Sequence, residues 1–454
     1  MPTSAPLALP PSLYADTAAP GVATAPLDID KNVPVAIIGG GFAGLSTALH
    51  LVEQGIETIV LEAQEPGWGA SGNNGGQLNP GLKLDPDTIE AAFGADLGAR
   101  MIAFAYNTPV FTLDLIRRLS IACEARQNGT LRAAYHENNA AEIRTTAAQC
   151  VRRGMPVRML DRDAVWEMTG TDRYIGAMLD RRGGDVQPLS YARGLARAAL
   201  AAGAAVHGGT PARSLQREAG RWRIETPRAV VRAEKILIAT NGFTDDLWPG
   251  LRRTIVPVFS SIAASEPLPD GVARQIMPTR SVLYESGHIT VYYRIDASNR
   301  LLMGGRGPMQ WIRDPSAVNY LTRYAVRLWP VLAGVRWTHG WNSRLAMTAD
   351  HFPHVHEPGP GALVYLGCNG RGVALATAMG QQLARPLQDR KRRPGSTCRS
   401  RPSSRSACTP CGRWRCEVSC STAGFAIASG FSATPGLNAA ELISAKCSAR
   451  SPVP

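Results

Sequence analysis

The sequence lacks several features that would define a membrane or secreted protein. It has no run of about 18 apolar residues, so no segment is expected to cross a membrane. The first residues contain several prolines and no basic stretch before an apolar one, unlike a secretory signal. Cysteines are scarce in most of the chain, where Cys123, Cys150 and Cys368 show no paired spacing. These absences predict a cytoplasmic protein with reduced thiols and an extended N-terminal arm over residues 1–32.

An even spread of basic residues is also lacking, although the net charge is +13. From Arg385 onward the sequence has 12 Lys or Arg and 3 Asp or Glu, which accounts for nine of the thirteen charges. The preceding 384 residues contribute only +4, so the basicity is a property of the tail. We therefore expect no nucleic-acid partner. The length of 454 residues and the apolar content of 44% allow two sizeable cores.

Residues 386–454 differ in composition from the rest of the sequence. They are rich in Arg, Ser, Pro and Cys, hold six of the nine cysteines and show little hydrophobic periodicity. Cys408, Cys411, Cys416 and Cys420 do not have the spacing of a zinc site, so we predict no bound metal. The abrupt change favours a tail that is disordered or translated out of frame.

One histidine cluster could suggest a metal site outside the tail. His351, His354 and His356 follow Asp350 in a proline-containing turn. Because no group of carboxylates lies near them in the sequence, we interpret the histidines as loop residues and Asp350 as structural.

From Val33 to Glu62 the sequence has the pattern of a strand, a glycine-rich turn, a helix and a second strand. The apolar run before the turn fits a parallel strand that is buried on both faces. In Gly39-x-Gly41-x-x-Gly44 the first glycine permits a tight turn, the second admits a pyrophosphate, and the third lets helix and strand pack closely. Glu62 ends the second strand, where a carboxylate can bind a ribose. The complete order predicts a dinucleotide-binding unit.

The next segment, Gly67–Gln77, is a loop of glycines and small polar residues with the sequence GWGASGNNGGQ. Its backbone is suited to wrap around a polar ligand, and Ser71 and Asn74 can offer hydrogen bonds. With this loop, the sequence resembles the amino-acid and amine oxidase superfamily of FAD enzymes, which has the fold of D-amino-acid oxidase and glycine oxidase. Within that superfamily it most resembles the gamma-glutamylputrescine oxidoreductase branch. The resemblance extends from about Pro10 to about Ala384.

Further segments lie where that family contacts its cofactor. An apolar strand leads to Ala239–Gly242, which in the family closes over the cofactor, and the segment around Ala212 resembles the strand pair that meets the adenine. Gly370 and Gly372 form a second glycine turn before a helix, whose N-terminus supplies positive potential for a reduced flavin. Relatives that anchor flavin covalently use a cysteine upstream of this turn. Since Ser343–Asp350 has none, the resemblance implies non-covalent FAD.

The predicted cofactor site combines the glycine turn, the polar loop and these later segments. Its residues are Gly39, Gly41, Phe42, Ala43, Gly44, Glu62, Ala63, Ser71, Gly72, Asn74, Gly75, Gly76, Gln77, Ala212, Ala239, Thr240, Asn241, Gly242, Gly370, Arg371, Gly372 and Val373. Trp68 and Gln77 are expected on the flavin side of the site. Cys368, just before the second turn, is interpreted as a plain buried side chain.

The resemblance implies an α/β fold, namely a Rossmann-like FAD-binding domain with an inserted α+β substrate domain built on a mostly antiparallel sheet. We assign residues 33–86, 150–250 and 335–385 to the FAD-binding domain. The substrate domain comprises 87–149, whose pattern is helical, and 251–334, where alternating strand patterns precede a helix. The chain is thus expected to leave and re-enter the FAD-binding domain twice.

For such an enzyme, the resemblance implies that a neutral amine is held with its α C–H facing N5 of the flavin, to which a hydride passes. The imine then hydrolyses to an aldehyde and an amine or ammonia, and oxygen takes the electrons as hydrogen peroxide. The favoured substrate is a gamma-glutamylputrescine-type amine. Alternatives are a sarcosine- or D-amino-acid-type dehydrogenase with another electron acceptor, and a chain that binds FAD without turnover because its C-terminal end is aberrant. A flavoprotein that binds nucleic acid through its basic tail is a third.

The predicted catalytic residues are Arg371, Tyr293 and Arg294. Arg371 lies in the second glycine turn, where a guanidinium can approach the cofactor or the substrate. Tyr293 and Arg294 lie in a strand pattern that is expected to roof the flavin. Further candidates on this roof are Tyr284, His288 and Tyr292.

Overall fold

The computed structural model describes residues 8–287, 290–312 and 314–388 of the chain. The helices are α1 (Leu13–Thr17), α2 (Phe42–Val52), α3 (Ala70–Asn73), α4 (Pro86–Phe93), α5 (Ala95–Arg118), α6 (Glu137–Arg152), α7 (Arg162–Thr169), α8 (Pro188–Ala201), α9 (Asp270–Gln275), α10 (Asn319–Leu328) and α11 (Gly372–Gln388). The strands are β1 (Lys31–Ile38), β2 (Thr58–Leu61), β3 (Gln77–Leu78), β4 (Thr130–Ala134), β5 (Val157–Leu160), β6 (Gly176–Asp180), β7 (Gly184–Asp185), β8 (Ala205–His207), β9 (Ser214–Glu218), β10 (Arg221–Glu225), β11 (Val230–Ile238), β12 (Val256–Ser265), β13 (Val282–Glu285), β14 (Tyr292–Ile295), β15 (Leu301–Arg306), β16 (Trp337–Met347), β17 (His354–Gly359) and β18 (Ala362–Leu366). His288 and the tail from residue 389 lie outside the described residues, and so do the predictions made for His288, for the tail cysteines and for the tail's disorder and reading frame.

The first sheet has β1 at its centre. Its parallel strands run in the order β18, β11, β1, β2, β8, with β17 antiparallel at one edge and the hairpin of β9 and β10 extending from β11. Val35 and Ile37 of β1 pack on the side that carries α2, α8 and α11, while Ala36 and Ile38 pack on the opposite core. This arrangement confirms the predicted Rossmann-like α/β domain.

The second sheet has the strand order β16, β12, β15, β14, β13, β4, β6, β5. β13 and β4 run parallel, and the other neighbouring strands are antiparallel. One face of this sheet packs on a core that includes Leu283, Tyr293, Met303 and Trp329. The predicted mostly antiparallel sheet of the substrate domain is therefore confirmed.

Strand pairing crosses two of the predicted domain boundaries. β5 and β6 pair in the second sheet, although they fall in the segment 150–250 that was assigned to the FAD-binding domain. β16 also belongs to the second sheet, beyond the predicted boundary at residue 335. A buried apolar strand has the same local pattern in either sheet, so its pattern alone cannot assign it to a domain.

The N-terminal arm, which the sequence predicted as extended, contains a short packed helix. Ser12 caps α1 by accepting a hydrogen bond from the backbone N–H of Ala15 at 3.1 Å, and Leu13 and Tyr14 are buried. The Tyr14 ring packs edge-on against Trp341, with ring centroids 5.1 Å apart. The arm is therefore anchored to the second sheet.

At the other end of the described chain, α11 continues to Gln388, past residue 386 where the predicted tail begins. The helix packs against α2, and the hydroxyl of Ser46 donates a hydrogen bond to the carbonyl oxygen of Thr377 at 2.7 Å. A Cβ on Gly380 would lie only 2.4 Å from the Ser46 side chain, so the close approach of these helices requires glycine. Within the described ranges, no helix has the length and apolar character needed to cross a bilayer.

Candidate active site

The glycine turn joins β1 to α2 at the carboxyl end of the central strand. Gly39 has a φ of +111°, and a Cβ there would lie 2.9 Å from the carbonyl oxygen of Ala239. A Cβ on Gly44 would lie 2.0 Å from the carbonyl oxygen of Gly39, so its absence lets the helix approach the strand end. Gly41, the N-cap of α2, offers no side-chain hydrogen bond to the first helical turn. Backbone N–H groups there can therefore serve an anion.

Glu62 supports this turn from the end of β2. Its Oε2 accepts a hydrogen bond from the N–H of Gly40 at 2.6 Å, and its Oε1 accepts one from the N–H of Gln64 at 2.9 Å. Burial raises the pKa of this carboxyl, and the backbone donors oppose the rise. Holding the turn is thus a role that the sequence did not reveal. Because a carboxylate has about four lone-pair sites, acceptor capacity remains for a ribose.

The polar loop folds back onto the glycine turn. The hydroxyl oxygen of Ser71 accepts a hydrogen bond from the N–H of Phe42 at 3.0 Å, at the start of α2. Asn74 bonds within the loop, where its Nδ2 donates to the carbonyl oxygen of Ser71 and its Oδ1 accepts from the N–H of Gly76, both at 2.8 Å. The side chains predicted to bind ligand therefore shape the loop that would surround it.

Gln77 connects the polar loop to the roof formed by the second sheet. Its Nε2 donates hydrogen bonds to the carbonyl oxygens of Leu283 and Tyr293, both at 3.1 Å. Trp68, at the other end of the loop, packs edge-on against Phe243 with ring centroids 5.9 Å apart. The loop is thus held at both ends by structure outside it.

Asn241 links the end of β11 to the second glycine turn. Its Oδ1 accepts a hydrogen bond from the N–H of Gly367 at 3.0 Å, and its Nδ2 lies 3.3 Å from the Sγ of Cys368. Cys368 is a buried free thiol. The chain then passes Gly370, with a φ of +80°, and enters α11. The first turns of α2 and α11 consequently face one cavity.

This cavity has a volume of about 890 Å³ and is lined by residues of both sheets. The predicted cofactor-site residues that line it are Gly39, Gly41, Phe42, Ala43, Glu62, Ala63, Ser71, Asn74, Gly75, Gln77, Ala212, Ala239, Thr240, Asn241, Gly370, Arg371, Gly372 and Val373. The structure thus brings six separate segments of the chain to one cavity. Four predicted residues do not line the cavity, and a Cβ on each would lie at most 2.6 Å from a backbone carbonyl oxygen; they are Gly44, Gly72, Gly76 and Gly242.

Two adjacent tyrosines of the roof strand β14, Tyr292 and Tyr293, have different surroundings. Tyr292 lines the cavity, and its hydroxyl lies 2.9 Å from the hydroxyl of Ser260. Burial raises the pKa of Tyr292, so it stays protonated. A Cβ on Gly75 would lie 2.5 Å from the Tyr292 ring, so this ring rests on the polar loop.

Tyr293 and Arg294, two of the predicted catalytic residues, do not line the cavity. The Tyr293 side chain enters the core on the opposite face of β14, where its hydroxyl donates to the hydroxyl of Tyr174 at 2.8 Å. The Arg294 guanidinium lies behind the polar loop, with Nε 2.9 Å from the carbonyl oxygen of Gly75. Successive side chains of a strand point to opposite faces, so Tyr293 points away from the cavity that Tyr292 lines. Arg294 shares the face of Tyr292, but the polar loop lies between its guanidinium and the cavity. The geometry therefore does not support direct substrate contact by Tyr293 or Arg294.

Basic side chains that the sequence did not single out lie at one end of the cavity. Lys83, Arg132 and Arg306 line it together with Arg371 and Tyr284. Arg132 belongs to β4, whose sequence is TLRAA, and an arginine within an apolar strand is the one local signal that could have indicated it. Lys83 and Arg306 have the appearance of ordinary surface charges in the sequence.

A further arginine of the cavity wall lies on β16. The Arg344 guanidinium stacks on the Phe243 ring, 4.7 Å from its centroid, and its buried Nε has no hydrogen-bond partner. Burial, followed by the nearby Arg252, lowers the pKa of Arg344. Phe243 and Arg344 both line the cavity, as do Phe259 and Met347, so this part of the wall is largely apolar.

The histidine cluster shows no metal-site geometry. His354 Nε2 lies 3.0 Å from both carboxylate oxygens of Asp350, which supports the structural role predicted for Asp350. Burial and the neighbouring His354 lower the pKa of His356 to about 4. Across the described part of the chain, no group of three or more His, Cys, Asp or Glu side chains is placed to hold a metal ion.

Comparisons with known proteins show the family and the fold to which the chain belongs. A model of the FAD dependent oxidoreductase family matches residues 34–385. The chain is 30% identical to gamma-glutamylputrescine oxidoreductase of Escherichia coli (strain K12) over 357 residues, which cover 78% of this chain and 83% of that protein. It is 26% identical to glycine oxidase of Bacillus licheniformis, over 78% of this chain and 92% of that protein. The crystal structure of glycine oxidase from Geobacillus kaustophilus has the same fold, with a TM-score of 0.67 at 21% identity over 79% of this chain and 95% of that chain.

Proposed function

Because the chain belongs to the family of FAD-dependent oxidoreductases, we propose that it oxidises a gamma-glutamylputrescine-type amine with oxygen as electron acceptor. At the coarser level it is an FAD-dependent enzyme that acts on the carbon–nitrogen bond of an amine or amino acid. The finer assignment draws on the similarity to gamma-glutamylputrescine oxidoreductase. One observation of the site supports the oxidation itself: a single cavity is lined by both the glycine turn and the roof strands, so cofactor and substrate can meet there.

The residues around the glycine turn fit FAD. A Cβ on Gly41 would lie 2.8 Å from Ser71 Oγ, so glycine keeps the backbone open at the position where a pyrophosphate would approach. The first turns of α2 and α11 both border the cavity, and each can stabilise negative charge. We expect the glycine turn, Glu62 and the polar loop to hold the nucleotide. The second turn, Gly370–Val373, would hold the flavin end.

Bound FAD supplies the hydride acceptor for oxidation of the carbon next to the amine nitrogen. The chain's own residues bind and orient the amine and keep water away. Phe243, Phe259 and Met347 give the cavity an apolar wall, which favours the neutral amine over its charged form. The protonated Tyr292 hydroxyl, beside Ser260, can accept a hydrogen bond from the amine or donate one to it.

An anaerobic titration of the purified full-length chain tests this proposal. Gamma-glutamylputrescine, putrescine, sarcosine and D-alanine would be added separately while the absorbance of the oxidised flavin is followed. We expect gamma-glutamylputrescine to bleach the flavin at the lowest concentration. Oxygen uptake with formation of hydrogen peroxide would then identify oxygen as the acceptor.

Other outcomes lead to different conclusions. Bleaching by sarcosine or D-alanine alone would contradict the substrate assignment and favour an amino-acid-type enzyme. Bleaching without oxygen uptake would favour a dehydrogenase that uses another acceptor. A bound flavin that no amine reduces would favour a chain that binds FAD without turnover.

Cytoplasmic localisation stays a prediction.

A further inference from the structure

A small recess of about 30 Å³ adjoins the large cavity. Four residues line both spaces, namely Lys83, Arg132, Tyr284 and Arg371. Three of the four are cationic, and they come from the segment after β3, from β4 and from the turn before α11. The fold therefore concentrates positive charge where the recess opens into the cavity.

The hydrogen bonds of the two arginines leave this charge uncompensated. Arg371 donates from Nη1 to the carbonyl oxygen of Pro80 at 3.0 Å and from Nη2 to the Tyr284 hydroxyl at 2.9 Å. Arg132 donates from Nη2 to the hydroxyl of Ser286 at 3.0 Å. All of these partners are neutral. Lys83 is an exposed residue that lines the cavity.

Three of the four carboxylates that line the recess or this part of the cavity are engaged elsewhere. Asp85 caps α4, and Asp180 pairs with Arg182 at 2.6 Å. Glu285 accepts hydrogen bonds from two tyrosine hydroxyls at 2.8 and 2.5 Å, and its burial raises its pKa. Glu142 lies on an exposed position of α6. The cationic group thus has room for an additional anion.

The electrostatics of the group agree with that conclusion. Although Lys83 has exposed surface, partial desolvation by the surrounding cavity wall lowers its pKa, and Arg371, Arg132 and Arg306 lower it further. Burial opposes ionisation of Tyr284, yet Arg371, Arg132 and Lys83 bring its pKa below the ordinary value. Holding like charges together without an anion costs folding free energy, and such arrangements are typical of binding sites.

We propose that Lys83, Arg132 and Arg371 form an anion subsite that binds a carboxylate of the substrate. The inference rests on the proposed amine oxidation and deepens it, because it makes the preferred substrate an acidic amine rather than a simple diamine. Guanidinium groups match the planar geometry of a carboxylate, and the ammonium adds a point charge. Gamma-glutamylputrescine carries such a carboxylate, whereas putrescine carries none.

Binding of an unreactive acid tests the subsite independently of turnover. Isothermal titration of the FAD-loaded full-length protein would compare glutarate with its neutral diamide, glutaramide. We expect glutarate to bind and glutaramide to bind at least tenfold more weakly. In Lys83→Met and Arg132→Met, the dissociation constant for glutarate should rise roughly 10- to 100-fold, the usual range for a lost hydrogen bond to a charged group. Lys31→Met, which removes the same charge at an exposed site, should leave binding unchanged.

Equal binding of glutaramide and glutarate would overturn the subsite, and this comparison needs no variant to fold. An unchanged dissociation constant in both variants would also overturn it. If the variants lose FAD and the natural chain does not bind glutarate, the three cationic side chains would instead be residues that hold the cofactor. If the natural chain binds glutarate through Lys83 but oxidises no amine, the proposed function fails and the subsite stands. If it oxidises gamma-glutamylputrescine and N-acetylputrescine equally well in all variants, the subsite fails and the proposed function stands.

Discussion

Arg294 and Asp185 form an ion pair inside the protein, with Nη1 2.9 Å from Oδ2 and both side chains at most 2% exposed. The Nε of Arg294 also donates to the carbonyl oxygen of Gly75, so the pair connects the roof strand β14 to the polar loop of the cofactor site. Asp185 has a second partner, Arg126, at 2.5 Å. Arg294 is therefore a positioning residue for the loop rather than a group that contacts the substrate.

Replacing Arg294 by methionine should destabilise both the fold and the loop. We expect Arg294→Met to lower the free energy of unfolding by about 3 kcal/mol, because it removes one partner of a buried ion pair. It should also weaken FAD binding, because the carbonyl of Gly75 loses its donor. Urea unfolding and release of FAD fluorescence on dilution would measure the two effects.

Arg126→Met is the matched control, since the Arg126 side chain is 28% exposed and Asp185 would keep Arg294. Its effect on FAD release should be small. Equal FAD affinity in Arg294→Met and the natural chain would contradict the positioning role.

Substitutions of the adjacent residues Tyr292 and Tyr293 test which of the two tyrosines contacts the substrate. Tyr292→Phe removes a hydroxyl from the cavity, so we expect kcat/KM for the amine to fall roughly tenfold with little change in stability. Tyr293→Phe removes a buried donor to Tyr174, so it should cost about 1–2 kcal/mol of stability and leave kcat/KM nearly unchanged. Steady-state kinetics and urea unfolding of both variants would measure this difference. A larger kinetic effect in Tyr293→Phe would restore Tyr293 as a catalytic candidate.

The flavin should be released when the protein is denatured. Cys123 and Cys150 do not line the cavity, and burial raises the pKa of Cys123 to about 12, so neither thiol is placed or activated to bind the cofactor. Cys368 lines the cavity, but its sulfur lies beside the Asn241 amide. Acid precipitation should therefore leave FAD in the supernatant, and Cys368→Ala should bind FAD as the natural chain does. Flavin that remains with the precipitate of the natural chain but not of Cys368→Ala would contradict the prediction.

His356 makes the stability of the fold depend on pH. Its pKa is lowered to about 4 in the folded chain by burial and by His354, against an ordinary value of about 6.5 in the unfolded chain. The unfolded chain therefore binds more protons between these values, so this contribution to stability is complete above about pH 6.5 and is lost as the pH falls towards 4. Between pH 7 and pH 5 the loss is about 2 kcal/mol. Urea unfolding at the two pH values would measure it.

His356→Gln should remove most of this dependence. His136→Gln is a suitable control, since His136 is exposed and its loss should not change the difference between pH 7 and pH 5. If His356→Gln loses as much stability on acidification as the natural chain, another group is responsible.

The cofactor half of the site could be predicted from the sequence because its motifs are local. The turn from Gly39 to Gly44 and the turn at Gly370 are each made of a few consecutive residues, so their spacing carries the geometry. The function of Glu62 was only partly predictable. Its position after the strand suggested a ribose contact, but its bonds to the backbone depend on how the turn closes around it.

The substrate half could not be predicted in the same way. Tyr292 and Tyr293 alternate between the two faces of β14, and only the neighbouring strands decide which face meets the cavity. Lys83, Arg132 and Arg371 come together only through the tertiary fold, so the sequence pointed to Arg371 alone and not to the group. The domain to which β5 and β6 belong likewise depends on strand pairing and not on local pattern.

The hydrogen bond between Ser46 of α2 and Thr377 of α11 joins residues that are 331 positions apart. During synthesis, the ribosome releases the first glycine turn early and the helix that packs behind it very late. The first glycine turn and α2 therefore emerge with the apolar face of α2 uncovered, and the nucleotide site stays incomplete through most of translation. We therefore expect firm capture of FAD to wait for α11, so that cofactor loading follows synthesis of nearly the whole described chain.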